Sequence, residues 1–247
     1  MHTKKRFCVT NNMLNILKPT IAVIDSGIGG ISVLSRLIAK YKAGNFLYFA
    51  DNLFMPYGNK TATGLKNRLE AVINQLNKFY MPDIILIACN TASSVIDDSK
   101  FPNVKTIKFN NNGTYLTTKL TKRQLKGYNV LVDASLASVI ERNINKPSKL
   151  AQKINQHSRM NNLASYDSII LGCTHFELVK SLFEKCCKNT KFLCNSDSLI
   201  DNIDFKPNQS FATIKVILSK KDERYSDLIT GLIKQKVEEA CVEFMDI

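Results

Sequence analysis

One nine-residue segment returns in this chain without a gap, and it constrains the fold more than any other feature. Asp83-Ile-Ile-Leu-Ile-Ala-Cys89-Asn90-Thr91 aligns with Asp167-Ser-Ile-Ile-Leu-Gly-Cys173-Thr174-His175. Each copy runs from an acid through an apolar stretch to a small residue, a cysteine and then polar residues suited to opening a helix. Such apolar stretches are what strands covered on both faces look like, the situation inside a parallel sheet. Two copies imply two similar halves, each presenting one cysteine at the carboxyl end of a strand.

The rest of the chain fits that frame. Short β-rich runs at 20–25, 46–51, 83–88, 104–109, 129–133, 167–171 and 191–194, with one more at 212–218, alternate with stretches whose apolar residues recur three and four apart. Leu65, Leu69, Val72, Leu76 and Phe79 share one such helical face, Leu228, Leu232 and Val237 another, and Pro147 divides 135–157 into two helices. The expectation is an α/β protein of two similar, doubly wound domains with mostly parallel sheets and an active site in the cleft between them. The first domain takes residues 19–98 plus 207–247 and carries Cys89; the second takes 99–206 and carries Cys173. Residues 1–18 are expected to form an extension outside the fold, with Met13 as an alternative start.

Composition removes several classes of function. The 247 residues are 45% hydrophobic and 22% charged, which suits a folded chain with real cores. No apolar run approaches the ~18 residues of a membrane span. Seven cysteines, odd in number and unevenly spread, argue against a disulfide framework and for the cytoplasm. The net charge of +13, with seven Lys or Arg and no acid over 99–132, raises nucleic acid as a partner. No zinc-finger spacing, RNP signature or basic zipper accompanies that charge, and aromatics are not interleaved with the cations. The charge therefore reads as composition, and nucleic acid stays the weaker alternative.

The chemistry concentrates at three strand ends. In open α/β sheets ligands bind outside the carboxyl ends of the strands. A cysteine there sits at a helix N-terminus, where free N–H groups favour thiolate and can also accept a carboxylate. Cys89 and Cys173 have that setting, whereas Cys8, Cys186, Cys187, Cys194 and Cys241 have none and read as small hydrophobes. The third end carries Asp25-Ser26-Gly27-Ile28-Gly29-Gly30, a tight glycine turn with a polar pair at its mouth. Ser32 stands where a dinucleotide fingerprint needs its last glycine, so no nucleotide cofactor is expected, although Asp51 falls near where a ribose-binding acid would. His175 could ligate a metal with Cys173, but no C-x-x-C completes a closed zinc site. A general acid/base tuning Cys173 is the favoured role, and no metal is expected.

These residues resemble the aspartate/glutamate racemase superfamily, most closely bacterial glutamate racemase. The resemblance rests on Ile24-Asp25-Ser26-Gly27-Ile28-Gly29-Gly30, Phe49-Ala50-Asp51, Pro56-Tyr57-Gly58, Ala88-Cys89-Asn90-Thr91-Ala92-Ser93 and Leu171-Gly172-Cys173-Thr174-His175-Phe176, with Leu199-Ile200-Asp201 similar to a later family segment. It implies a cytoplasmic, cofactor-independent isomerase that supplies D-glutamate for cell-wall peptidoglycan by moving the Cα proton between two cysteines. By that analogy Cys89 and Cys173 are the bases, assisted by Asp25 and His175 respectively. Ser26, Asn90, Thr91, Thr174 and the Pro56-Tyr57-Gly58 turn, with Asp25 and His175, would hold a small acidic amino acid. Such racemases are often dimers. Two departures stand out: between Leu131 and Leu171 the family's Ala-Cys-Pro-Leu stretch and the functional glutamate after it have no counterpart, and Glu177 replaces a proline. An aspartate racemase and a catalytically lost relative acting as a binding protein are the alternatives.

Overall fold

The computed structural model describes residues 20–109, 113–207, 210–233 and 239–245. The expected extension 1–18 with Met13, Cys8, and Val237 of the expected tail helix all lie outside them. The chain runs β1 (Thr20–Asp25), α1 (Ile31–Tyr41), β2 (Gly44–Ala50), α2 (Ala62–Phe79), β3 (Ile84–Ile87), α3 (Asn90–Ser93), β4 (Val104–Thr106), β5 (Thr114–Thr117) and β6 (Asn129–Val132). It continues through α4 (Leu136–Asn143), α5 (Pro147–Met160), β7 (Ser168–Gly172), α6 (Thr174–Leu178), α7 (Lys180–Cys186), β8 (Lys191–Cys194), α8 (Asp197–Asp201), β9 (Ala212–Leu218), α9 (Glu223–Ile233) and β10 (Glu239–Phe244). One sheet has the order β10-β9-β2-β1-β3-β4 and the other β6-β5-β7-β8, with every pairing parallel. The α/β fold with parallel sheets expected from the sequence is the fold observed.

Burial explains the strand sequences. β1 is apolar almost throughout because both of its faces are covered: Ile21 and Val23 pack with α1 residues such as Leu34 and Leu37, while Ala22 and Ile24 pack with α2 residues such as Leu69 and Val72. Thr61 begins α2 by accepting a hydrogen bond from the Gly64 amide at 3.1 Å. Phe79, expected on the buried face of α2, is half exposed at the helix's last residue, and Ile73 is buried on the helix with Leu65, Leu69, Val72 and Leu76. In the second sheet Leu116, Ile169 and Leu171 face α4, α5, α6 and α7, and Tyr115 and Ile170 meet a smaller cluster with Leu125 on the other side.

Two strand expectations change. The run 104–109 is a strand only to Thr106, and it pairs with β3 in the larger sheet, although the expected boundary at 98/99 put it in the second half. The exposed edge of β3 takes up the first strand the chain offers after it. β5 went unread, and with it the basic segment 99–132 is divided between the two sheets. Pro147 opens α5 as its first residue, where its missing N–H does no harm. Among the described residues no helix is long and apolar enough to cross a membrane.

Candidate active site

The site forms where the carboxyl ends of the two sheets face each other. After β1 the chain turns through Gly27, Gly29 and Gly30 into α1, with the Ile31 amide donating to the Ile28 carbonyl at 3.1 Å. Gly29 is required by proximity: a Cβ there would lie 2.5 Å from Thr174 Oγ1 and 2.8 Å from the His175 amide nitrogen. The first half thus lays bare backbone directly against the start of α6. Cys89 follows β3 at the N-cap position of α3, and Cys173 follows β7 at the N-cap position of α6. Both thiols are buried and free, and both line one cavity of about 310 Å³.

Ser26, Pro56, Tyr57, Gly58, Thr91, Thr174 and His175 line the same cavity. Asp25 and Asn90 stand behind it. Asp25 is fully buried, accepting from the Gly27 amide and from Thr174 Oγ1, each at 3.0 Å. Burial pushes its carboxyl up against the opposing pull of His175 and these hydrogen bonds. Asn90 accepts from Asn195 Nδ2 at 2.7 Å, so its side chain braces the first half against the segment after β8. Asp51 is committed elsewhere: Tyr57 Oη donates to it at 2.9 Å and Arg68 grips it at 2.9 and 2.7 Å. Those bonds fix the Tyr57–Gly58 turn and leave no free acid for a ribose.

Several cavity residues carried no motif. Thr118 follows β5 as the cysteines follow their strands, and its hydroxyl joins those of Thr91 and Thr121 in a buried triangle with sides of 3.0 to 3.2 Å. The β-branched and aromatic content of Thr114-Tyr115-Leu116-Thr117 was the signal for that strand. Glu141, on α4, hydrogen-bonds His175 Nε2 through Oε2. The shortened stretch between Leu131 and Leu171 therefore does bring a carboxylate to His175, where the sequence showed no counterpart. Arg142 follows Glu141 and supplies a cation to the cavity wall.

Electrostatics separate the two thiols. Burial, then the nearby Asp25 carboxylate, push the Cys89 thiol far up, so it keeps its proton at neutral pH. At His175 burial opposes the charged form, but hydrogen bonds with Cys173 and Glu141 outweigh it and lift the imidazole well above its usual value. An imidazolium beside Cys173 can stabilise negative charge on that sulfur.

Glu177, in the place of the family's proline, is buried two residues beyond His175. Its carboxylate accepts from the Ser196 amide at 3.1 Å, from Ser196 Oγ, and from Arg36 of α1 at 2.7 Å. Arg36 also pairs with Asp197. Among the described residues no group of three or more His, Cys, Asp or Glu side chains is arranged to hold a metal ion.

No protein-family model matches the chain. A glutamate racemase of Aliarcobacter butzleri is 30% identical over 252 residues, spanning 87% of this chain and 96% of that protein. Glutamate racemase of Buchnera aphidicola subsp. Acyrthosiphon pisum is 32% identical over 209 residues, 73% of this chain and 78% of the relative. Among solved structures, the Escherichia coli glutamate racemase in complex with L-glutamate and an activator superposes with a TM-score of 0.75 at 20% identity, covering 93% and 99% of the two chains. Isoform RacE1 from Bacillus anthracis gives 0.74 at 17% identity, covering 92% and 97%. Sequence likeness over most of both chains, with the same fold behind it, shows that this chain belongs to the glutamate racemase family.

Proposed function

We propose that this protein interconverts L- and D-glutamate in the cytoplasm, without a cofactor, by proton transfer between Cys89 and Cys173 across the cavity. The observation that carries the reading is the pair of buried thiols from equivalent strand ends lining one cavity. One sulfur, as thiolate, takes the Cα proton; the other, as thiol, gives its proton to the opposite face of the carbanion. The product is the enantiomer, and the two sulfurs have exchanged protonation states.

The surroundings suit each step. The Cys89 thiol is held protonated, ready to donate, while the His175 imidazolium supports a thiolate at Cys173. Asp25, through Thr174, and Glu141, through His175, keep donors facing the space where carbanion charge develops. Ser26, Thr91 and Thr174 offer hydroxyls to the α-carboxylate and ammonium, and Arg142 offers a cation to the distal carboxylate. The division into a Cys89 half and a Cys173 half, and a homodimer of the whole, belong to the same proposal. In the cell the D-enantiomer would serve peptidoglycan synthesis.

The test is deuterium wash-in at Cα from D₂O with L- and D-glutamate and L- and D-aspartate in separate reactions, products being resolved on a chiral column. Exchange with inversion on glutamate, lost in both Cys89→Ser and Cys173→Ser, is the expected result. Inversion of aspartate alone would reassign the substrate. Absence of exchange from all four, with folded protein, would overturn the racemase reading.

A further inference from the structure

Two buried oxygens beside the site lack partners. Glu141 spends Oε2 on His175, while its Oε1 is buried with no hydrogen bond. The hydroxyl of Tyr225, brought in by α9 from the C-terminal part of the chain, is buried and also unpartnered. Both atoms meet over Gly27: the point where a Gly27 side chain would begin lies 2.6 Å from Tyr225 Oη and 3.2 Å from Glu141 Oε1. A buried hydroxyl or carboxylate oxygen without a partner is destabilising, because it has given up its water and gained nothing in return. These two are each other's natural solution, a donor and an acceptor over one glycine with no side chain to separate them.

We propose that Tyr225 is a positioning residue that acts on His175 through Glu141. Its phenol donates to the free carboxylate oxygen, fixes the rotamer of Glu141, and so holds the other oxygen on the imidazole. Burial, followed by the charge of Glu141, pushes the phenol well above its ordinary value, so it remains a donor throughout the working pH range. The acid/base of the Cys173 side is thereby ordered by an element that packs on the first sheet.

The titratable groups facing this chain of contacts are Asp25 after β1, Tyr48 on β2, Cys173 beside His175, and Arg142 next to Glu141 on α4. None of them occupies Glu141 Oε1. Tyr48 donates to the Gly27 carbonyl at 2.6 Å, and Asp25 is satisfied by Thr174 and the Gly27 amide. Loss of the phenol hydroxyl leaves Glu141 less well aimed at the imidazole. The proton affinity of His175 then falls.

The inference rests on the racemase reading for its kinetic arm only. The decisive measurement is the titration of His175 by NMR, tractable because the chain has three histidines. In Tyr225→Phe the His175 midpoint drops by about one pH unit, a tenfold change in proton affinity. In the racemase assay kcat falls about three- to tenfold, the worth of one hydrogen bond, with KM unchanged and the alkaline limb of the pH profile moved down with His175. Tyr41→Phe, which loses a comparable bond from its hydroxyl to the Ile203 carbonyl at 2.7 Å, moves neither readout. In a Glu141→Gln background the tyrosine change has no further effect. An unmoved His175 midpoint in Tyr225→Phe, or an equal shift in Tyr41→Phe, overturns the inference whatever the activity proves to be. A wild-type protein without Cα exchange overturns the racemase reading and leaves the titration to decide this one.

Discussion

Each part of the molecule buries one carboxylate and grips it with an arginine, but the two grips differ in reach. Asp51 after β2 is held by Arg68 of the adjacent α2 and by Tyr57, all within the part of the chain that carries Cys89. Glu177 on α6 is held by Arg36 of α1, which packs on the other sheet, and by Ser196. The arginine clamp on the Cys89 side is therefore local, although Asn90 and Thr91 beside Cys89 bond across to Asn195, Thr118 and Thr121. The clamp on the Cys173 side is borrowed from the other sheet through Arg36, and Gly29 pressed on α6 and Thr174 bonded to Asp25 add to it. The groups around Cys173 thus draw support from both sheets.

The largest test of that difference compares the carboxylates next to the thiols. Glu141→Gln should lower kcat by about a hundredfold, because the imidazolium loses its counter-charge. Its pH optimum should move to lower pH as His175 titrates earlier. Asp25→Asn, which touches Thr174 across the gap, should impair both proton transfers. Separate isotope exchange from each enantiomer would show this, and a loss confined to one direction of exchange would break the account of Asp25 as a bridge.

Next come the arginines. Arg36→Met strands Glu177, whose side chain is 0% exposed, and should destabilise the fold by about 2 kcal/mol, less than the ~3–5 kcal/mol of a fully buried pair because Arg36 itself is 30% exposed. For a chain of this size that is a Tm lower by about 4–8 °C. Arg68→Met should cost about 3 kcal/mol, since both partners are well buried. The kinetic consequences should diverge: kcat falls with Arg36→Met, and KM rises with Arg68→Met as the Tyr57–Gly58 turn loosens. Identical kinetic signatures in calorimetrically matched variants would erase the contrast between local and borrowed support.

The smallest effect belongs to Asp133, which accepts from the amides of Ser135 and Leu136 at 2.6 and 2.7 Å and anchors the start of α4. Hydrogen bonding from His157 first, and from these amides, holds its carboxyl well below the usual range, outweighing burial. A depressed native value contributes stability above the unfolded value of about 3.9 and loses it as pH falls through the native one. Asp133→Asn should therefore lower Tm by a few degrees near neutrality. The gap from wild type should close in acid below about pH 3. A gap that widens in acid would contradict this.

What could be read in the sequence follows from where chemistry sits in such folds. Cys89, Cys173, Thr174 and the Asp25–Gly30 turn stand at strand ends, where a buried apolar run stops and a polar residue is conspicuous. Glu141 had no such signal, being one acid on an amphipathic helix whose meaning depends on α4 packing over α6. Thr118 was missed with its strand, because β5 is four residues long and half threonine. The end of the 104–109 run and the assignment of β4 to the larger sheet depended on which edge was open, a fact of assembly and not of local propensity.

The unequal settings of the two thiols carry a thermodynamic consequence. Mirror-image amino acids have equal free energy in water, so a racemase must show the same kcat/KM for both. A protonated Cys89 against a Cys173 backed by imidazolium then cannot favour one enantiomer in overall efficiency. It can only trade tightness for turnover, so that the enantiomer held more firmly is the one converted more slowly, by the same factor.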